Sequence, residues 1–213
     1  RAGGAVVEDS VRPGVFATGR HNVEGWIAWY GQARVRLGPG LPLLAQRFWS
    51  LGFVMTPAPW MPLLEASADI GRLADTAVPG GGALRRGAQL SGSARLRPLP
   101  ALELEPRLDL AWLDGPDGAR RYRESAGQLL AIWHLDARHS LRLIAQRRAL
   151  WRAAEPGVDA ADDTSRTTSL TYAWRRSAGT RLYVGAGRDA RGGQPASTEL
   201  FVKLELDAGE LRR

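Results

Sequence analysis

The stretch that decides the fold is A-L-E-L-E-P-R-L-D-L-A-W, residues Ala101 to Trp112. Successive side chains of a β-strand point to opposite faces, so this alternation predicts one apolar face and one charged face. The apolar positions are Leu102, Leu104, Leu108, Leu110 and Trp112, and the charged positions are Glu103, Glu105, Arg107 and Asp109. A strand that crosses a bilayer needs about 9–11 residues, whereas a strand of a soluble sheet usually has about 5–6. The stretch is therefore long enough to cross a membrane.

Pro106 interrupts the apolar set in the middle of this strand. Proline has no backbone N–H to donate, so it is disfavoured in the centre of an ordinary sheet. We therefore expect Pro106 to lie at a bulge or at a weakened point of the hydrogen-bonded ladder.

The same alternation recurs along the chain and predicts about ten long strands in an antiparallel, up-and-down meander. Residues 63–71 also have the composition of a helix, but their strict alternation favours a strand. We expect residues 1–21 to form an irregular N-terminal segment, residues 22–207 a β-barrel domain, and residues 208–213 a C-terminal tail. The expected strands cover residues 26–37, 47–55, 63–71, 86–97, 101–112, 122–135, 140–150, 166–175, 180–188 and 198–206.

The expected connections alternate in length. The long ones cover residues 72–84, 114–121, 152–165 and 189–196, and the short ones cover residues 57–60, 98–100, 136–138 and 176–179. Transmembrane barrels have short periplasmic turns and longer extracellular loops. The pattern predicts an all-β transmembrane barrel, either closed by these strands alone or the C-terminal part of a larger barrel. It also orients the opening stretch, which would rise from the periplasmic turn before it to the extracellular loop after it.

Two interpretations of the apolar positions stay open at this point. In a soluble sandwich or lipocalin-like barrel they face a core, and in a membrane barrel they face lipid while the charged positions line a lumen. Trp112 and Trp174, at strand ends on the apolar side, suit an interfacial girdle, whereas Arg147 on that side must lie at an interface or a bulge. The candidate lumen-lining residues are Gln89, Arg95, Arg97, Glu103, Glu105, Arg107, Asp109, Arg142, Gln146, Arg181, Lys203 and Glu205.

Composition narrows the classes of function. The 213 residues contain no cysteine and no run of eighteen apolar residues, so neither a disulfide, a thiolate metal site nor a transmembrane helix is expected. The formal charge is +7, but the arginines are spread over the whole sequence and Lys203 is the single lysine. We expect no nucleic-acid partner, because there is no dense basic cluster. Since the sequence begins at Arg1, we expect it to be a fragment or a processed domain.

No residue pattern predicts a catalytic, metal or cofactor site. His21, His134 and His139 lack metal-ligand spacing, and the acidic loop residues 159–163 lack the calcium-loop pattern. Glu103 and Glu105 lie about 7 Å apart along one face and could form a glycosidase pair, but a charge ladder in a barrel wall is the stronger interpretation. We therefore predict a protein that is not an enzyme, with a glycosidase as the third hypothesis after the membrane barrel and the soluble binding module.

The chain resembles the C-terminal outer-membrane β-barrel domain of a bacterial family whose members usually carry an N-terminal, family-9-like carbohydrate-binding domain. The resemblance lies in A-I-W-H-L-D-A-R-H-S-L-R-L-I-A-Q (residues 131–146), S-L-T-Y-A-W-R-R-S-A-G-T-R-L-Y-V-G-A-G (residues 169–187) and E-L-F-V-K-L-E-L (residues 199–206). Two upstream stretches, W-M-P-L-L-E-A-S-A-D-I-G and L-R-P-L-P-A-L-E-L, are similar in character. These motifs are amphipathic strand patterns and not catalytic signatures.

This resemblance implies a pore, transporter or membrane anchor in the outer membrane of a Gram-negative bacterium. It further implies outer-membrane lipid and the barrel-assembly machinery as partners, and a link to carbohydrate binding or uptake through a domain upstream. One departure is the C-terminus. Such barrels usually finish on an aromatic residue, whereas this chain continues past Leu206 as D-A-G-E-L-R-R, and Phe201 is the nearest aromatic.

Overall fold

The structure is a computed structural model, and it describes residues 8–36, 43–79, 82–177 and 179–206. Their strands form one antiparallel sheet in which neighbours in sequence are neighbours in space from β3 to β12. The strands are β1 Glu8–Val11, β2 Gly14–Gly19, β3 Val23–Arg36, β4 Leu43–Met55, β5 Leu63–Asp75, β6 Ala83–Leu99, β7 Leu102–Asp114, β8 Arg120–His134, β9 His139–Arg152, β10 Ala161–Arg175, β11 Arg181–Arg191 and β12 Ser197–Glu205.

The ten predicted strands correspond to β3–β12, including residues 63–71, which form part of β5. The predicted all-β, up-and-down meander is therefore confirmed. The expectation that residues 1–21 are irregular is wrong for the part that the structure describes, because β1 and β2 lie there and both pair with β3. Gly14 and Gly19 are the first and last residues of β2. The beginning of the chain and the predicted tail 208–213 lie outside the described residues, as does Leu37.

Most strands are longer than the sequence predicts, and they extend at one end of the sheet. We call this the loop end; its described connections include residues 115–119, 153–160 and 192–196, and residues 76–82 link β5 to β6 there. The opposite turn end has connections 56–62, 100–101, 135–138 and 176–180. The predicted length alternation holds in the middle of the chain. It is wrong for the first and last pairs, whose two connections are equally long, because β5 and β11 continue into the expected long loops.

Two connections are fixed by aspartate side chains. Asp136 accepts hydrogen bonds from the backbone N–H groups of Arg138 and His139, at 2.7 and 2.9 Å, and these bonds hold the pKa of Asp136 below its usual value. Asp117 likewise accepts a hydrogen bond from the backbone N–H of Ala119, which lowers the pKa of Asp117. Such aspartate turns are a standard way to reverse a chain between strands.

Pro106 lies at a gap in the ladder between β6 and β7. The pairing runs as far as Ser93 opposite Arg107 and resumes at Leu96 opposite Leu104, in the same register. On its other side, Pro106 keeps its place opposite Leu129 of β8. The prediction of a weakened point is confirmed, and the missing N–H of proline is its physical cause.

The only helical segment among the described residues is a 3-10 turn, Arg20–Asn22. No helix in the described ranges is long and apolar enough to cross a membrane.

Candidate functional site: the polar face of the sheet

The registers place all twelve candidate lumen-lining residues on one face of the sheet. Arg107 pairs with Gln128, and the same cross-strand row continues through Gln146, Thr167 and Asp189. Side chains of one row share a face, and so do residues an even number apart on a strand. Every other candidate lies an even number of residues from this row. We call this side the polar face and the opposite side the apolar face. The twelve are Gln89, Arg95 and Arg97 of β6; Glu103, Glu105, Arg107 and Asp109 of β7; Arg142 and Gln146 of β9; Arg181 of β11; and Lys203 and Glu205 of β12.

Four of these residues form a charge ladder across the Pro106 gap. Arg95 Nε lies 2.6 Å from a carboxylate oxygen of Glu105 and 3.7 Å from one of Glu103. Arg97 Nε donates to Glu103 at 3.0 Å. These side chains hold β6 against β7 where backbone pairing is interrupted. Glu103 and Glu105 are thus both engaged by arginines.

The middle of the polar face carries further polar pairs. Arg107 Nε donates to Asp109 at 3.0 Å, and the Gln146 amide donates to the Gln128 oxygen at 2.7 Å. Arg148 donates to Glu124 at 2.7 Å. All of these residues except Glu124 line a shallow hollow over β7–β10. This region therefore presents both hydrogen-bond donors and hydrogen-bond acceptors on the polar face.

Two other candidates border a second hollow near the turn end. Arg142 and Arg181 line it together with His134, Thr171 and Tyr183. On β12, Lys203 lies 2.6 Å from Glu205, and its ammonium group is 5.8 Å from the centre of the Tyr183 ring. Gln89 lies in register with Asp69 and Ala111.

A buried ion cluster that sequence reasoning missed lies at the loop end of this face. Asp75 is 1% exposed and accepts from Arg85 Nε at 2.8 Å and from both terminal nitrogens of Arg152 at 3.0 and 3.1 Å. Arg85 also donates to Glu155 at 2.5 Å. Leu73 lies opposite Arg85 in the register and is 4% exposed, and Leu113 lies opposite Tyr122 and is 7% exposed. We call Asp75, Arg85, Arg152 and Glu155 the ion cluster.

The ion cluster shows that the sheet curls towards its polar face. Asp75 ends β5 and Arg152 ends β9, and four strand spacings would put these strands about 19 Å apart in a flat sheet. One arginine and one aspartate side chain cannot bridge that distance. The loops also meet, since a Cβ built on Gly157 would lie 2.7 Å from Cγ of Pro79. The polar face is therefore the concave side at this end.

One sequence signal could have found the ion cluster. Asp75 continues the polar positions of β5 into the expected loop 72–84, and Arg85 continues those of β6 just after that loop. The pairing of Asp75 with Arg152, 77 residues away in sequence, has no local signal. Among the described residues there is no cluster of three metal-ligating side chains.

Comparison with known proteins agrees with this architecture. A loop-deletion mutant of OmpT, an outer membrane protein of Vibrio cholerae, superimposes with a TM-score of 0.50 and 10% sequence identity. The match covers 91% of this chain and 62% of that chain. The fold is that of an outer-membrane β-barrel. No family model matches the sequence, and no curated protein matches it either.

At this identity the likeness concerns the fold alone. This chain spans less than two thirds of the length of the matched chain. Among the described strands, β12 pairs only with β11, and β1 pairs only with β3, so the sheet has two free edges.

Proposed function

We propose that this chain forms part of the wall of an outer-membrane β-barrel, with its apolar face against lipid and its polar face lining an aqueous pore. The observation that carries the proposal is the exposure of the apolar face. Ile70, Leu108, Leu170 and Val184 are 42–51% exposed although each lies at least three residues from either end of its strand. In a soluble sandwich or lipocalin-like barrel, these positions would face a packed core. Their exposure favours the membrane over the soluble binding module.

The height of the apolar face supports a membrane location. From Leu102 to Trp112 the strand advances about 33 Å, which a tilt of about 40° reduces to about 25 Å along the membrane normal. This is the usual height of the apolar band of such barrels. Aromatic side chains border it: Trp112 towards the loop end, and Trp133 and Trp174 towards the turn end. They suit two interfacial girdles.

The free edges support a larger barrel. Backbone groups at an open sheet edge cannot be satisfied by lipid, so a membrane sheet must close. On β12, the outward-facing residues Leu200, Val202 and Leu204 are 56–80% exposed. We favour closure by further strands, as part of a wider barrel, over closure of β12 on β1.

The wall can serve as a pore, as a transporter or as an anchor. The charge ladder on the polar face favours a pore. Charged residues of both signs on the polar face suit a wet lumen better than a dry plug. Outer-membrane lipid and the barrel-assembly machinery are the partners that this proposal requires. A link to carbohydrate binding or uptake rests on the family resemblance and would act through a domain upstream. The proposal includes no enzymatic step, because Glu103 and Glu105 serve as ion-pair partners of Arg95 and Arg97.

Conductance across a planar lipid bilayer tests the proposal. The chain is refolded into vesicles together with the strands that close its barrel. Its migration on a denaturing gel should then change on heating, and it should conduct ions. Glu105→Gln with Asp109→Asn should shift the reversal potential towards anion selectivity, whereas the loop control Asp117→Asn should shift it much less. A folded barrel without conductance would favour the anchor, and a monomer soluble without detergent would refute the membrane location.

A further inference from the structure

The apolar face carries arginines at its loop end and none at its turn end among the described strands β4–β12. On β4, β5 and β6, the exposed residues Arg47, Arg72 and Arg86 lie on this face. Arg72 lies directly opposite both Arg47 and Arg86 in the register. Like charges directly opposite one another on adjacent strands are destabilising. The next residue of the row, Asp114, lies opposite Arg86, but its carboxylate is ion-paired with Arg120. The three guanidinium groups therefore repel one another unless an anion lies between them.

The same arrangement occurs a second time on β9, β10 and β11. Arg147 lies directly opposite Arg166, and Arg188 lies diagonally to Arg166, because it pairs with Thr168. All three are exposed, and Arg123 of β8 lies between the two triads. We call these two triads the arginine belt. The register runs without a shift through Arg147, so the bulge, one of its two expected positions, is absent.

Among the described residues, the belt arginines have no ion pair, unlike most arginines of the polar face, where Arg142 and Arg181 are exceptions. Within the described ranges, none of the six has a carboxylate oxygen within 4.0 Å, whereas Arg85, Arg95, Arg97, Arg107, Arg148 and Arg152 all do. The acidic residues of the apolar face are Asp114, which is paired with Arg120, and Asp162, opposite Trp151. The belt therefore carries a net positive charge.

The belt lies in the half of the apolar band nearer the loop end. On β4, β5 and β10, eight positions separate the arginine from the last outward apolar residue at the turn end, which is Met55, Leu64 or Trp174. On β9 and β11 the separation is six positions, from Arg147 to Leu141 and from Arg188 to Leu182. Eight residues advance about 26 Å along a strand, or about 20 Å along the membrane normal at a tilt of about 40°. Arginine side chains can extend a little farther to reach the headgroup region.

We propose that the arginine belt binds the phosphate groups of an anionic lipid headgroup in the leaflet at the loop end. Arginine forms bidentate, charge-assisted hydrogen bonds with phosphate, and a phosphate between two guanidinium groups removes their repulsion. The apolar residues just below each triad, such as Ile70 and Leu170, then contact the acyl chains of the same lipid. Because hydrogen-bond donors for phosphate lie next to apolar surface, the belt favours an amphiphile over a soluble anion. The inference rests on the membrane location proposed above.

Lipid binding by the folded chain in neutral detergent tests this inference. The probes are a bis-phosphorylated glucosamine-disaccharide lipid, phosphatidylcholine and inorganic phosphate, with bound lipid measured by native mass spectrometry. We expect the phosphorylated lipid to bind at least tenfold more tightly than phosphatidylcholine, and the affinity to fall as salt rises. The variant Arg147→Gln/Arg166→Gln/Arg188→Gln should lose at least tenfold in affinity, and removing Arg47, Arg72 and Arg86 as well should abolish the preference.

The control variant Arg138→Gln/Arg142→Gln/Arg176→Gln removes the same charge from the turn end and the polar face. It should bind the phosphorylated lipid like the unmodified chain. Equal binding of both lipids, equal loss in belt and control variants, or displacement by millimolar inorganic phosphate would overturn the inference. Heat-modifiable folding in phosphatidylcholine vesicles reports on the membrane location by itself, so a barrel that folds there but shows no lipid preference refutes the belt and not the barrel.

Discussion

Replacing Asp75 by asparagine should destabilise the folded barrel by about 3 kcal/mol, because it leaves buried arginines without their carboxylate. Asp75 is 1% exposed and accepts hydrogen bonds from Arg85, Arg152 and the backbone N–H of Ala77. Asparagine has nearly the same volume but only one acceptor oxygen, and its NH2 group meets donors. Breaking one partner of a buried ion pair costs about 3–5 kcal/mol.

The structure favours the lower end of that range. Arg85 keeps Glu155 at 2.5 Å after the change, so one of the two arginines retains a carboxylate. Arg152 keeps only its position over the Tyr122 ring, at 4.8 Å from the ring centre. The net loss is therefore dominated by Arg152, and the double variant Asp75→Asn/Arg152→Gln should recover part of it.

Urea unfolding in lipid vesicles, followed by tryptophan fluorescence, measures this loss. The matched control is Arg107→Gln, which breaks an ion pair on the same face whose members are 64% and 40% exposed. Water screens that pair, so its loss should shift the unfolding midpoint far less. If both variants shift the midpoint equally, the ion cluster does not hold β5 against β9 and the account of the curled sheet fails.

Three further predictions concern the wall itself. Leu108→Arg on the apolar face should reduce the free energy of folding into vesicles by about 2–4 kcal/mol, whereas Gln128→Arg on the polar face should fold normally. Heat-modifiable migration on a gel measures folding, and equal folding of the two variants would contradict the assignment of the apolar face to lipid. Pro106→Ala restores an N–H at the ladder gap and should raise the unfolding free energy by about 1 kcal/mol, read from urea midpoints, and a fall would mean that the gap is required. Gly71→Ala should slow or prevent folding, because its Cβ would meet the backbone oxygen of Arg47, whereas Gly127→Ala has no atom within 4 Å and should fold at the normal rate.

The strand pattern was predictable because alternation is a local property. The apolar and charged positions of Ala101–Trp112 follow directly from the geometry of a strand, and the register preserves them. Pro106 likewise marked the gap in the ladder, since a missing N–H needs no tertiary information. The same reasoning placed the twelve polar residues on one face, because a residue's parity within its strand fixes its side of the sheet.

The strand ends were not predictable in the same way. β10 begins at Ala161, five residues before the expected start, although Asp162, Asp163 and Thr164 have no apolar alternation. Backbone pairing with Trp151, Leu150 and Ala149 of β9 extends the strand there. Hydrogen bonding to a neighbouring strand does not depend on side-chain polarity, so composition alone suggested a loop.

By itself, the sequence determined how many strands form from Val23 onwards, which side chains share a face, and where the ladder is weak, because each of these depends on residues adjacent along one strand. Only the tertiary structure decided that the apolar face stays exposed, that the sheet curls until Asp75 meets Arg152, and that arginines from neighbouring strands form a belt. Periodicity is identical for a face turned to a core and a face turned to lipid, and contacts between strands far apart in sequence leave no periodic signal.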